Sequence, residues 1–264
     1  MIAAFQMYDW TEVRSRTDRF WAAVGGYLRD QGIGAPVDLT RADDIHAPWP
    51  RHDLLLGQTC GLPYVSGRCG EAILVGRPDY GIEGAEGGEY RSALVCRADD
   101  GRTLAHFRGA RAAINDLGSQ SGCNALADSV NALSGEGDEP FFGSVVLSGA
   151  HRKSATLVAD GDADIAAIDG VAWALFGELE PERHARLRMV GWSRACPALP
   201  FITAPGNREI LPVLTRGLAA GIDAVAGHGI PTALMPASDE DYDPVRNMAD
   251  SLRGFRLSPD TPPL

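Results

Sequence analysis

Ser119 and Ser121 stand on either side of Gln120 in the stretch Asn115-Asp116-Leu117-Gly118-Ser119-Gln120-Ser121-Gly122, and two hydroxyls placed together in one turn can grip one oxyanion. The apolar residues that follow, Cys123, Leu126, Val130 and Leu133, recur at helical spacing, so a helix is predicted to begin near Ser119 to Ser121. Arg111-Ala112-Ala113-Ile114 before them reads as a short strand. A strand thus feeds a turn rich in Gly and Ser that opens a helix. The first turn of a helix leaves backbone N–H groups unpaired and carries partial positive charge. Hydroxyls beside those groups make a compact anion site. A second reading stays open, in which Ser119 is only a helix N-cap. Two reaction motifs can be tested on the same residues. A nucleophile elbow needs Ser between its glycines, and between Gly118 and Gly122 the central residue is Gln120. A P-loop needs Lys and then Ser or Thr after its last Gly, whereas Gly122 is followed by Cys123 and Asn124. The turn can hold an anion and shows no machinery to break one.

Three other residues could serve the same chemistry. Tyr64 follows the apolar run Asp53–Gln58, whose continuous pattern is that of a buried parallel strand. Loops at the carboxyl ends of such strands bind ligands in open α/β sheets. There Tyr64 offers a hydroxyl or a ring face, or packs as a half-buried loop residue. His151 is predicted to start a helix directly after the strand Ser144–Leu147, where an imidazole N–H can reach an anion or the ring can stand exposed. Asp169 ends the strand Ile165–Ile168. It can bind a ligand ammonium, hydroxyl or protonated oxyanion, or cap the helix Val171–Phe176, and the two roles are compatible.

Composition restricts the partners. The chain has 264 residues, 45% of them hydrophobic, enough for one large domain or two lobes. Its formal net charge is −11 and its Lys and Arg form no block, which argues against nucleic acid and anionic membrane surfaces. An anion must therefore be held by local dipoles and hydroxyls against the global field. No apolar run reaches the roughly 18 residues of a membrane span. The first residues, Met-Ile-Ala-Ala-Phe-Gln-Met-Tyr, show no basic region or long apolar run of an export signal. The expectation is a cytoplasmic chain as written, or a periplasmic one if a signal has been removed. The five cysteines, at 60, 69, 96, 123 and 196, include no C-x-x-C pair, and Cys123 reads as a small buried hydrophobe.

These side chains need a scaffold, and the periodicities supply one. Ile2–Met7 is predicted as a strand and Val13, Phe20, Trp21, Val24 and Leu28 mark one amphipathic helix. Pro36–Thr40 is predicted as a second strand and Asp53–Gln58 as a third, a β-α-β-β start with right-handed crossovers. Ala72–Val75 and Tyr90–Arg97 are predicted to form a hairpin about the acidic, glycine-rich residues 81–89, read as a mobile turn. Strands at Arg111–Asn115, Ser144–Leu147, Ile165–Ile168 and Leu187–Gly191 alternate with helices, including one over Lys153–Ala159. Prolines at 197 and 200 stiffen a return crossing over Ala195–Thr203. A helix over about 209–226 follows, with Pro212 in its first turns, then an Asp- and Pro-rich tail with a short helix near Val245–Leu252.

Ser148-Gly149-Ala150-His151-Arg152-Lys153-Ser154, together with Val158 to Asp169 (Val-Ala-Asp-Gly-Asp-Ala-Asp-Ile-Ala-Ala-Ile-Asp), resembles the phosphate/phosphite/phosphonate substrate-binding proteins of ABC transporters. Asn115-Asp116 with Ser119 and Ser121-Gly122 is similar to that family's phosphonate-binding turn, and Cys196-Pro197 with Leu199-Pro200-Phe201 to its return crossover. The resemblance implies an α/β fold of the two-lobe type 2 periplasmic-binding-protein kind with a two-strand hinge. It implies that Ser119, Ser121 and Gly122 hold the oxyanion, that Tyr64 contributes from the other lobe, and that His151 and Asp169 serve in the cleft. With Gln120 between the serines, the candidate ligand-binding set is Tyr64, Ser119, Gln120, Ser121, Gly122, His151 and Asp169, with no catalytic residue, metal ligand or cofactor expected. The lobes are expected at 1–84 with 199–264 and at 85–198, closing when ligand binds. The function implied is binding of a phosphate-like ion or a phosphonate for an ABC permease, without covalent chemistry. A rival is a cytoplasmic enzyme on the same fold, such as chorismate dehydratase or a thiamine-pyrimidine synthase, and a third reading is a ligand-sensing module. Cys60 and Cys123 depart from the hydroxyl or small residues expected beside the site.

Overall fold

The structure is a computed structural model that describes all residues except 132, 134–139 and 263. The chain folds as two compact units, Met1–Glu89 with Pro197–Asp243 and Tyr90–Cys196 with Pro244–Leu264.

The first unit is built on a mixed five-stranded sheet in the order Ile2–Ala4, Leu54–Gln58, Phe201–Thr203, Ile73–Asp79 and Ala233–Met235. Ile2–Ala4 runs parallel to Leu54–Gln58, and Phe201–Thr203 runs antiparallel to both of its neighbours. Leu54–Gln58 is buried throughout, as its unbroken apolar run predicts. The helix Arg14–Asp30 buries Phe20, Trp21, Val24 and Leu28, the i, i+3/i+4 stripe visible in the sequence. The helix Leu211–Ala224 carries Pro212 in its first turn, where no N–H is needed, and packs on Arg14–Asp30. Gly217 and Gly221 let the two axes approach. A Cβ on Gly221 would stand 2.6 Å from Val24 Cγ2 and 2.7 Å from Phe20 Cε2.

The second unit has its own five-stranded sheet, in the order Ser144–Leu147, Arg111–Ile114, Ile165–Asp169, Ser92–Arg97 and Leu187–Trp192. The first three of these strands are parallel. Ser92–Arg97 is antiparallel to both neighbours. Each parallel strand hands the chain to a helix at its carboxyl end: Arg111–Ile114 to Gln120–Asn124 and Ala125–Asn131, Ser144–Leu147 to His151–Asp160, and Ile165–Asp169 to Gly170–Leu179. The helix His151–Asp160 ends where Gly161 takes φ 86°, so that its N–H and that of Asp162 reach the last carbonyls. Ile2–Ala4 and Ile165–Asp169 thus belong to different sheets, as a two-lobe fold requires.

Four expectations are corrected. Pro36–Thr40 is not a strand. Thr40 N–H reaches Ala3 O at 2.7 Å, but the Pro36 carbonyl is taken by the Trp21 indole, so no ladder extends. Ile73–Asp79 and Ser92–Arg97 do not form a hairpin. They lie in different units: Ile73–Asp79 pairs with Phe201–Thr203 and Ala233–Met235, and Ser92–Arg97 with Ile165–Asp169 and Leu187–Trp192. The residues between them form compact turns, with a bridge between Ile82 and Ala85. The chain leaves the first unit at 89/90 and returns at 196/197, where Glu89–Tyr90 and Cys196–Pro197 pair as a two-stranded ribbon. The tail expected with the first lobe groups instead with the second unit from Pro244 onward, where Phe142 N–H donates to Leu257 O at 2.8 Å.

Candidate functional site

The serine turn sits at the carboxyl end of Arg111–Ile114, and the chain there is fixed by short-range bonds. Gly118 N–H donates to Asp116 Oδ1 at 2.7 Å, an Asx turn. Ser119 is the N-cap of the helix, its hydroxyl accepting from Gly122 N–H at 3.0 Å. The first turn, Gln120–Asn124, is a π-turn, because Ser119 O accepts from both Cys123 N–H and Asn124 N–H. It widens the helix mouth before the α-helix Ala125–Asn131 takes over. The leading N–H groups, those of Gln120 and Ser121, have no preceding helical carbonyl to reach.

His151 is brought to this turn by the neighbouring strand. Ser148 N–H bonds Ile114 O at 2.8 Å and Gly149 N–H bonds Asn115 O at 3.0 Å, so the loop after Ser144–Leu147 is stitched to the loop after Arg111–Ile114. Gly149 takes φ 83° to turn the chain into the helix. The result is a contact of 2.7 Å between Ser121 Oγ and His151 Nε2. The imidazole is not exposed, and burial pushes its pKa down to about 4, so it is neutral at physiological pH. Its Nδ1 is buried and makes no hydrogen bond of ordinary geometry among the described residues.

Three of the other expected ligands also lie in the second unit, each in its own surroundings. Gly122 lies against Asn115: a Cβ there would overlap Asn115 Oδ1 and stand 2.8 Å from Asn115 Cγ and 3.3 Å from His151 Cε1. Gln120 turns its amide into the unit, donating to Met248 Sδ at 2.9 Å and Cys196 Sγ at 3.4 Å and accepting from Asn124 Nδ2. Its side chain is therefore interior, and its backbone N–H is the part left for an anion. Asp169 is 1% exposed and caps Gly170–Leu179 through Val171 N–H at 2.9 Å and Ala172 N–H at 3.2 Å. Asp169→Ala is expected to destabilise the chain by about 1–2 kcal/mol, and Asp169→Asn by less, since the amide oxygen can still accept. Denaturant unfolding of the two variants checks this; equal losses would mean that charge, not capping, sets the contribution.

Tyr64 belongs to the first unit, on the short helix Gly61–Val65 where sequence predicts a loop. Its hydroxyl donates to Asp239 and its ring stands edge-on to Tyr242, 5.4 Å between centroids. A cavity of about 20 Å³ also lies in this unit, lined in part by Tyr8, Gln58 and Tyr80. It has room for about one water and touches none of the expected ligands. Asn115 is the residue that sequence reasoning quoted within the turn but did not count as part of the site. Cys123 is buried with its thiol pushed up to about 12, the inert behaviour expected of it. Among the described residues, no group of three or more His, Cys, Asp or Glu side chains is placed to hold a metal.

A serine hydroxyl on a histidine could suggest a nucleophile and its base. Such a base works when a carboxylate orients its other nitrogen and its pKa lies near the working pH. Here burial holds the imidazole at about 4, and among the described residues no carboxylate is hydrogen-bonded to its other nitrogen. The arrangement is one of fixed hydroxyls and N–H groups, suited to holding charge.

Solved structures with this architecture cover almost the whole chain. PhnD1 from Prochlorococcus marinus, in complex with methylphosphonate, is 16% identical, with a TM-score of 0.71 over 95% of this chain and 97% of that one. A binding protein component of an ABC phosphonate transporter from Pseudomonas aeruginosa is 14% identical, with a TM-score of 0.68 over 94% and 85%. The periplasmic aliphatic sulphonate binding protein SsuA from Escherichia coli is 14% identical, with a TM-score of 0.63 over 99% and 88%. The fold is thus the two-lobe type 2 fold of periplasmic binding proteins. Residues 11–222 match the phosphonate-binding family model, and the chain belongs to that family, the periplasmic substrate-binding proteins of phosphonate ABC transporters.

Proposed function

We propose that this chain binds a small tetrahedral oxyanion, a phosphonate or a phosphate-like ion, and delivers it to an ABC permease. The observation that supports this most is the turn Ser119–Gly122, with its capped helix mouth and the Ser121–His151 contact, at the carboxyl end of a parallel strand. Backbone N–H groups and a hydroxyl there can satisfy an anion although the chain as a whole carries a net charge of −11. The methylphosphonate held by the Prochlorococcus marinus relative points to the same ligand class. Binding proceeds without covalent chemistry, in keeping with a family of transport proteins. Tyr64 is the candidate ligand contact of the first unit. The permease is a separate partner in this reading, as the family of transporter binding proteins implies; among the described residues no helix is long and apolar enough to cross a membrane. Work outside the cytoplasm follows from this role and would need an export signal.

Mass spectrometry of small molecules released from the purified protein tests the reading, followed by calorimetric titration with the ions found. A phosphonate or phosphate bound at one site per chain is the expected result. Retention of an organic acid or pyrimidine without any oxyanion binding would favour an enzyme on this fold instead.

A further inference from the structure

Phe201 pairs with Gln58 on one side and with Gly76 on the other, antiparallel to both strands, so Leu54–Gln58 and Ile73–Asp79 run the same way with Gln58 and Gly76 level. The carboxyl ends of such strands are where open α/β sheets meet their ligands. Each end here carries a group that can receive an anion: Tyr64 follows the first strand, and Arg77 lies near the end of the second. Both meet the acidic turn Asp239–Tyr242 of the same unit. The Tyr64 hydroxyl donates to Asp239 Oδ1, and Asp241 Oδ1 stands 3.7 Å from Arg77 Nη2. The two carboxylates differ in what else they do. Asp241 closes the capping box of the turn, its Oδ2 accepting from Ser238 N–H at 2.7 Å and from Ser238 Oγ at 3.2 Å. Asp239 is exposed and takes no part in that box. The turn is also anchored by Tyr242, buried, whose hydroxyl donates to Ala198 O at 2.7 Å. Asp239 can therefore release Tyr64 while the turn keeps its shape. The direction of the Tyr64–Asp239 bond is fixed by chemistry, because a carboxylate only accepts and a tyrosine has one hydrogen to give. An oxyanion arriving at Tyr64 needs that same hydrogen, and it is repelled by the carboxylate that holds it.

We propose that Asp239 is an internal competitor for the Tyr64 hydroxyl: its carboxylate takes the hydrogen that an oxyanion ligand needs, so that binding exchanges one anion for another and Asp239 holds the affinity below what Tyr64 alone would give. The proposal rests on the reading of Tyr64 as the ligand contact of the first unit. The contact is exposed, and exposed charged contacts are individually weak, so the exchange is a modest barrier and not a block.

Calorimetric titration of the full chain with methylphosphonate and with inorganic phosphate tests this. Asp239→Asn keeps the shape of the side chain and removes its charge, leaving a weaker acceptor. It should raise affinity about three- to tenfold and melt with the parent, because the capping box is untouched. In a Tyr64→Phe chain the same substitution should add nothing, since no hydrogen is left to compete for. Glu240→Gln removes the same charge one residue further along the turn and should bind like the parent. Carbon-13 NMR of the parent gives a readout that needs no variant: the Asp239 carboxylate signal should move as methylphosphonate saturates the protein. Four results overturn the proposal and leave the oxyanion reading in place: equal or weaker binding by Asp239→Asn, a gain that persists undiminished in Tyr64→Phe, an equal gain in Glu240→Gln, or an Asp239 signal that stays still at saturation. Failure of the parent and of every variant to bind either ion overturns the oxyanion reading itself, and the proposal with it.

Discussion

Gly122→Ala is expected to reduce oxyanion affinity by about a hundredfold or more and to destabilise the chain by about 1–3 kcal/mol. The reason is space, since Gly122 does not use the left-handed backbone region. The added methyl would overlap Asn115 Oδ1, stand 2.8 Å from Asn115 Cγ and press on His151 Cε1 at 3.3 Å. Asn115 has little freedom to retreat. Its backbone carbonyl is held by Gly149 N–H, and its Oδ1 is already shut off from solvent. The strain must then pass to the helix mouth, to the His151 ring, or to both. Two or more hydrogen bonds to a charged ligand would lose alignment together, each worth about 1.5–3 kcal/mol. Titration with methylphosphonate and a thermal melt of the same preparation measure the two effects. A variant that binds and melts like the parent would show that Asn115 swings aside freely, and the close packing of this turn would have no part in binding.

The second large effect separates the two serines. Ser119→Ala should lower stability by about 1 kcal/mol, because its hydroxyl is the cap that receives Gly122 N–H. Ser121→Ala should leave melting nearly unchanged, because the Ser121 hydroxyl meets the His151 ring and the helix cap is Ser119. Its affinity for a phosphonate should nevertheless fall ten- to a hundredfold, the loss of one hydrogen bond to a charged ligand at about 1.5–3 kcal/mol. That estimate holds whichever way the bond between Ser121 and the ligand runs. The two variants therefore form a crossed pair, one moving the melt and the other the titration. If Ser121→Ala binds like the parent, the anion is held elsewhere, and the search moves to Tyr64 and its neighbours in the first unit.

Much of this molecule is written locally. The stripe Phe20, Trp21, Val24 and Leu28 specifies a helix because only a 3.6-residue repeat brings those side chains to one face. The buried strands Leu54–Gln58 and Ile165–Asp169 announce themselves as unbroken apolar runs, since both of their faces are covered. Gly161 marks a helix end and Pro212 a helix start for backbone reasons that need no partner. The serine turn belongs to the same class, because strand, turn residues and helix are consecutive. Even its cap, Ser119, follows from local chemistry.

What the tertiary structure alone decided concerns partners. Ile73–Asp79 and Ser92–Arg97 are extended segments on either side of a glycine-rich turn, as in a hairpin, yet sequence pattern says which faces a strand buries and not which strand lies beside it. The tail from Pro244 is polar enough to follow either unit, and its side depends on contacts such as Met248 with Gln120. Gln120 stands between two serines in the sequence, but its amide goes inward because that contact is available only in the folded unit. The Ser121–His151 contact is the clearest case. Thirty residues separate the pair, and they meet because two parallel neighbouring strands end level and their loops are stitched at Ile114–Ser148 and Asn115–Gly149. The residue types were legible in sequence, whereas the proton shared between them exists only once strand order and register are set.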